Sequence, residues 1–279
     1  MRRRVPVLQV SLNGSRTAAD GAAVPMSPDA LVESAVRSVA AGATEVLVHP
    51  RTPCGRESLS PRVVGPVLEA LRASVPVPLA VCASVAGEPD PAGRVERVRS
   101  WTVLPDRAVV DTGRPGAAEL MSALLERGVA VDALVPAGGG AIGAAVDAVL
   151  GLDADPGLDA DPGRGPGPGR GPGPGRGPGP GGRAVRLVVE LRSAGPAPGP
   201  GELYRLPPGG VLAYGRDAAA WPVLEAAARW GGGVRVGLGD VLLLPDGRPA
   251  RSNEELVAAA AVLLGGRALR ACRATDGSR

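Results

Sequence analysis

The sequence predicts a (βα)8 barrel, one domain of eight parallel strands ringed by helices. Three observations carry that prediction. Eight short runs rich in Val, Leu and Ala recur along the 279 residues. Longer Ala/Leu/Arg segments separate most of them, which is the alternation of a parallel sheet covered by helices. No strand leads into a Gly-x-Gly-x-x-Gly turn, so an open doubly wound sheet is the weaker alternative. The nearest candidate, Gly138 to Gly143, has no acidic ribose partner in the right context and reads as a plain loop.

The predicted strands are Val7–Leu12, Glu45–Val48, Pro78–Cys82, Arg107–Asp111, Ala130–Val135, Val185–Leu191, Gly210–Tyr214 and Val234–Leu238. Ser27-Pro28-Asp29 opens the first helix, with a capping hydroxyl followed by proline at the first helical position, and Gly42 stops it. Ser252-Asn253-Glu254-Glu255 opens the last one over Leu256, Val257 and Ala260. After the sixth strand, Ser193–Gly201 is rich in Gly and Pro, so a short or missing helix is expected there.

Between the fifth helical pattern and the sixth strand, GLDADP occurs twice and GRGPGP three times, from Gly151 to Pro180. Glycine at every second position cannot form a collagen helix, which needs it at every third. Such repeats cannot bury apolar surface, so residues 151–182 read as a disordered low-complexity insert within the barrel. An Arg-Gly RNA-binding segment is the other reading, but no aromatic residues are interleaved for base stacking.

Composition narrows the function classes. Hydrophobic residues make up 44% and aromatic ones 2%, with no Phe, so the core must be Val, Leu and Ala. All 31 basic residues are arginine, and the net charge of +3 is spread among acids, which gives no sign of a nucleic-acid partner. Three widely spaced cysteines fit a reducing compartment better than a disulfide framework. No apolar run approaches the ~18 residues of a membrane helix. A protein of the cytoplasm, without a membrane partner, is expected.

The chemistry centres on His49, the only histidine, in Leu47-Val48-His49-Pro50-Arg51. Strand alternation puts Leu47, His49 and Arg51 on one face. At the eighth strand the chain reads Arg235-Val236-Gly237-Leu238-Gly239-Asp240, with Asp240 where the strand ends. In a barrel these C-terminal strand ends form the active-site floor. The two segments together resemble the β-keto acid cleavage enzymes, typified by 3-keto-5-aminohexanoate cleavage enzyme. Members read approximately His-x-His-x-Arg at the first place and Arg-Val-Gly-Leu-Glu-Asp at the second. The resemblance covers roughly residues 8–135 and 210–265.

What the resemblance implies is specific. Two histidines and a glutamate hold Zn2+, which grips a small β-keto acid. An acetyl unit is exchanged with acetyl-CoA, giving acetoacetate and the CoA ester of the shortened acid. By position, Asp240 would be the base, Arg235 its partner and His49 a metal ligand. Asn13, in Leu12-Asn13-Gly14-Ser15-Arg16, together with Arg51 and Asp111, would contact substrate. Family members are commonly oligomeric, so a homo-oligomer is a possible state.

Two of the implied metal ligands are replaced, by Leu47 and Gly239. Leucine has no donor atom and glycine has no side chain, whereas catalytic zinc normally keeps three protein ligands. The sequence leaves two readings open. One is a metal-dependent acyl-transferring enzyme with impaired activity, in which Cys54 with Asp111 or Asp132 rebuilds the ligand set beside His49. The other is a non-catalytic member that binds a small molecule or serves a structural role. Restoring Leu47→His with Gly239→Glu is the change the sequence suggests for recovering the metal. Asp240 and Arg235 could equally be an ion pair closing the barrel end.

Overall fold

A computed structural model describes residues 6–85, 87–136, 184–191 and 210–276, with side chains described as far as residue 265. Its eight strands close into one barrel. They are β1 (Leu8–Ser11), β2 (Glu45–Val48), β3 (Leu79–Cys82), β4 (Arg107–Asp111), β5 (Ala130–Pro136), β6 (Val185–Leu191), β7 (Val211–Gly215) and β8 (Gly233–Val236). Every neighbouring pair is parallel, and β8 returns to β1 to complete the ring. The barrel prediction holds. The GRGPGP insert and the segment expected to lack a full helix after β6 lie outside the described residues.

Six helices are described: α1 (Pro28–Ala40), α2 (Pro61–Ser74), α3 (Pro91–Arg99), α4 (Ala117–Glu126), α5 (Ala220–Trp230) and α6 (Asn253–Asp276). The first three begin with proline after Ser27, Ser60 and Asp90. Ser27 Oγ accepts from the Ala30 N–H at 3.2 Å, and Asp90 Oδ2 from that of Gly93 at 2.7 Å. These side chains satisfy helix donors that have no carbonyl partner within the helix.

Leu238 was expected within the last strand but lies in a turn. Its N–H is taken by Asn253 Oδ1 at 2.7 Å, so it is not available to a sheet ladder. Asn253 Nδ2 also donates to the Leu12 carbonyl at 2.8 Å and to Ser34 Oγ at 2.9 Å. One buried amide at the start of α6 thus joins the ends of β1 and β8 to α1.

Strand alternation divides the interior into two regions. Outward residues such as Val10, Val46, Val81, Val110, Ala133, Val189, Ala213 and Val236 pack beneath the helices in the main core. Trp101 joins that core and donates from Nε1 to the Leu59 carbonyl at 2.8 Å. Inward residues fill the lumen in tiers. Its middle is apolar, with Leu47, Ala80 and Val109 on one side and Val188, Leu212 and Tyr214 on the other, joined through Leu134.

Beneath that tier, at the N-terminal strand ends, lies a buried ionic plug. Arg186 donates to Asp132 at 2.7 and 2.9 Å and to Glu45 at 2.7 and 2.9 Å. Arg107 Nε reaches Asp132 Oδ1 at 2.6 Å, and Gln9 Nε2 reaches Glu45 Oε2 at 3.1 Å. Burial alone would raise the Asp132 pKa, but Arg186 and Arg107 hold it below the usual carboxylate range. The plug and the apolar tier leave the C-terminal strand ends as the reactive end of the lumen.

Candidate active site at the C-terminal mouth

The mouth is polar because seven of the eight strands, all but β5, bring an inward polar residue to it. Ser11 ends β1 and Asn13 follows it, His49 follows β2, Cys82 and Ser84 stand at β3, and Asp111 ends β4. Glu190 and Tyr214 come from β6 and β7, and Arg235 from β8. Asp240 comes from the turn after β8. It binds Arg235 in a two-pronged ion pair, Nε to Oδ2 and Nη2 to Oδ1, both at 3.1 Å. Both residues are buried.

The Arg235 guanidinium carbon lies 3.3 Å from the centroid of the Tyr214 ring. A cation over a ring face is attracted by its negative electrostatic face. The Tyr214 hydroxyl in turn donates to Glu190 Oε2 at 2.8 Å. Glu190, Tyr214, Arg235 and Asp240 therefore form one continuous chain. Burial raises the Asp240 pKa from its ordinary value, against the opposing pull of Arg235. Burial works against the charged form of Arg235 too, but Asp240 and Tyr214 raise its pKa overall.

His49 is held from behind. Asn13 Nδ2 donates to the His49 carbonyl at 2.9 Å, and Asn13 Oδ1 accepts the His49 N–H at 3.0 Å. Both ends of the Asn13 amide are thereby engaged. The His49 ring is buried, and its Nδ1 has no hydrogen-bond partner among the described residues. Burial first, then the charges of Arg235, Arg51 and Arg216, push its pKa down to about 3. The imidazole is neutral at physiological pH.

That shift has a measurable consequence. In the unfolded chain His49 protonates near its ordinary 6.5, while the folded chain keeps it neutral to about 3. Stability from this group is complete above pH 6.5 and declines as pH falls through that window, by about 1.4 kcal/mol per pH unit. Urea midpoints of wild type and His49→Gln between pH 7 and 5 test this. The variant is expected to lose most of the decline, and equal slopes in the two proteins would refute it.

The other sequence-nominated residues are placed differently. Arg51 donates to the carbonyls of Gly55, Gly14 and Arg16 at 2.8, 2.7 and 2.6 Å and lies 3.6 Å from Glu57. It stitches the loop after β1 to the loop after β2. Asp111 sits at the rim, where it accepts the Gly113 N–H at 3.0 Å and pairs with Arg114 at 3.4 Å. Of the six, His49, Arg235, Asp240 and Asn13 are brought together. Tyr214, Glu190 and Arg216 were not singled out from sequence. For Tyr214 and Glu190 the signal was available, since each occupies an inward position near the C-terminal end of its strand.

Zinc does not fit the donors at this mouth. Leu47 is buried in the apolar tier against Ala80 and Val109. Gly239 is pressed backbone to backbone against Gly14. A Cβ at residue 239 would overlap Ser11 Oγ and lie 2.6 Å from the Gly14 nitrogen and 2.9 Å from its Cα. Gly14 has φ +53, in the left-handed region that suits glycine, so the approach depends on both residues. Asp132 belongs to the plug at the opposite end, and Cys54 is exposed beside Thr52. The rebuilt ligand set allowed by the sequence is therefore not assembled. Among the described residues, no three His, Cys, Asp or Glu side chains are grouped to hold a metal ion.

Comparison with known proteins agrees with the architecture. The family profile BKACE, beta-keto acid cleavage enzyme, matches residues 6–133 and 201–272. No curated protein sequence matches the chain. Among solved structures, ObcA in a ternary complex with a C4-CoA adduct and oxalate superposes with a TM-score of 0.59 at 17% identity, over 88% of this chain. The chain spans only 64% of that protein's length. ObcA bound to oxaloacetate gives a TM-score of 0.58 at 17% identity, with the same 88% and 64% coverage. The homocysteine methyltransferase MmuM from Escherichia coli gives 0.54 at 13% identity, over 94% of this chain and 96% of that one. At such identities these likenesses speak for the fold alone. Among the described residues, no helix is long and apolar enough to cross a membrane.

Proposed function

Because this chain belongs to the beta-keto acid cleavage enzyme family, we propose that its barrel mouth binds a small 3-keto carboxylate and handles it without a metal. The single observation that carries this reading is the contact between Gly14 and Gly239. It fills the place of one ligand with backbone, while the Arg235–Asp240 pair stays intact. The chemistry within reach of that pair is proton transfer. Asp240, buried and held by two guanidinium hydrogens, is a base of raised pKa. The acid proton to remove is on the carbon between the two carbonyls of a 3-keto acid. Arg235, fixed on the Tyr214 face, offsets the negative charge that develops.

Zinc-dependent transfer of an acetyl unit from acetyl-CoA, which the family resemblance implies, is on this reading lost or strongly reduced. The intact Arg235–Asp240 pair favours a second reading, in which the full cleavage reaction persists at low rate with a CoA thioester as partner. That ObcA has been captured with both a keto acid and a CoA adduct supports this alternative as family chemistry.

One experiment separates the two. Purified protein is analysed for metal, then given acetoacetate in deuterated water, and separately a longer 3-keto acid with acetyl-CoA. Deuterium exchange at the carbon between the carbonyls is expected to run above the uncatalysed rate and to fall to it in Asp240→Asn. No CoA ester of the shortened acid is expected. Stoichiometric zinc together with rapid formation of that ester would overturn the metal-free reading in favour of the second.

A further inference from the structure

The turn after β7 is fixed by contacts that the reading above does not use. Asp217 has φ +49, the one non-glycine residue in the left-handed region among the described residues. Such a backbone is uncommon and persists where surrounding contacts impose it. Here the contacts are explicit. The Asp217 N–H donates to the Asp240 carbonyl at 2.9 Å. Its carboxylate pairs with Arg16, whose guanidinium also reaches the Asp240 carbonyl at 3.5 Å. Gly215 lies so close to the same turn that a Cβ there would overlap the Ala219 carbonyl.

These contacts hold Arg216 beside Asp240, at the next inward position after Leu212 and Tyr214. Its surroundings set it apart from the other arginines of the mouth. Arg16, Arg51 and Arg235 each have carboxylate or carbonyl partners. Arg216 is half-buried and makes no side-chain hydrogen bond or ion pair with the described residues. Its charge acts on both His49 and Asp240. On the lumen side of neighbouring strands, His49 Nδ1 and Ser11 Oγ are buried with no partner. Among the described residues, a cation with no direct ion pair and two unsatisfied polar atoms thus converge on one mouth. Buried polar groups in that state are satisfied by a ligand or ordered water.

We propose that Arg216 is the ligand-binding cation of this barrel, pairing with the carboxylate of a small organic acid in a site that works without a metal ion. The proposal deepens the keto-acid reading, on which its choice of ligand rests. Arg235 is committed to Asp240 and Tyr214, so Arg216 is left to take the ligand's charge. His49 Nδ1 and Ser11 Oγ are two buried polar groups left for its oxygens.

The test is titration of the full chain with acetoacetate, with propionate and with the uncharged methyl acetoacetate, with and without a metal chelator. Binding is followed on the ring C–H signals of His49, which are unique because it is the only histidine. Wild type is expected to bind both acids, unaffected by chelator. Arg216→Gln should weaken both by about tenfold or more, the loss of one charged hydrogen bond, without changing the ester. Arg216→Lys should recover part of the affinity, which a misfolded variant would not. If propionate binds through Arg216 as well as acetoacetate does, the keto-acid reading fails and the Arg216 site stands. If acetoacetate binds wild type and Arg216→Gln alike, the site assignment is overturned and the keto-acid reading stands. No binding of either acid by wild type overturns both.

Discussion

The double variant Leu47→His, Gly239→Glu is expected to take up no stoichiometric zinc and to be markedly less stable than wild type. Sequence alone recommends it, because it rewrites the two replaced ligands. The structure predicts its failure from a close contact. The first side-chain carbon at residue 239 would already overlap Ser11 Oγ and the Gly14 backbone. A flexible side chain could move aside, but Gly14 is held by its neighbours and its carbonyl is tied to Arg51 at 2.7 Å. Attraction of the new carboxylate to Arg235 and Arg216 does not create space.

Overpacking of this kind costs about 1–3 kcal/mol for a single added group. Gly239→Ala is therefore the clean control, expected to lose that amount in urea denaturation. The double variant should lose more, since Leu47→His also places an imidazole in the apolar tier. Metal analysis after dialysis, with the urea midpoint, checks both statements. Zinc bound at one ion per chain, or a Gly239→Ala variant as stable as wild type, would show that the strand-one loop yields and that only the ligands had been lost.

Asp132→Asn is expected to reduce stability by about 3–5 kcal/mol, the largest effect of any single substitution discussed. Asp132 is fully buried and serves Arg107 and Arg186 together. Asparagine keeps the shape and removes the charge that serves both buried guanidinium groups, while Glu45 stays with Arg186. Breaking such a network by removing one partner is far more costly than never having had it. Equilibrium unfolding of the variant gives the number directly. A loss under about 1 kcal/mol would mean that water reaches the plug and screens it. In that case the lower lumen would not be closed, and the lumen would be open to solvent at both ends.

Much of this protein was legible in its sequence, for identifiable reasons. Strands β2, β4 and β6 run over the predicted residues because their apolar runs are bounded by charge or turn residues that also end the ladder. The inward register of Leu47, His49 and Arg235 followed from the two-residue period of a strand. The pairing of Arg235 with Asp240 was one of the two roles foreseen. The mixed strand β6, Val-Arg-Leu-Val-Val-Glu-Leu, also carried its message in plain alternation, with Arg186 at the plug and Glu190 at the mouth.

Other features depended on residues far apart in the chain. Arg51 and Asn13 share an inward face with the site and could be read as substrate contacts. In three dimensions the Asn13 amide is engaged by the His49 backbone and Arg51 Nη2 by the carbonyls of Gly14 and Arg16, across 35 to 37 positions. Asp132 looked like a spare ligand until its height in the barrel placed it at the opposite end from His49. Arg216 had no sequence signature beyond being the residue after β7. Only the turn that ties Asp217 to Asp240, across 23 positions of chain, sets it at the mouth.

The sequence by itself determined the barrel, its inward and outward faces, and the absence of a donor atom at Leu47 and Gly239. Each of these follows from local period or from side-chain chemistry, which need no distant partner. Whether the vacated places could be reoccupied was decided only by tertiary structure. It depends on how closely the loop after β1 approaches the turn after β8, and there Gly14 meets Gly239 with no room for a side chain.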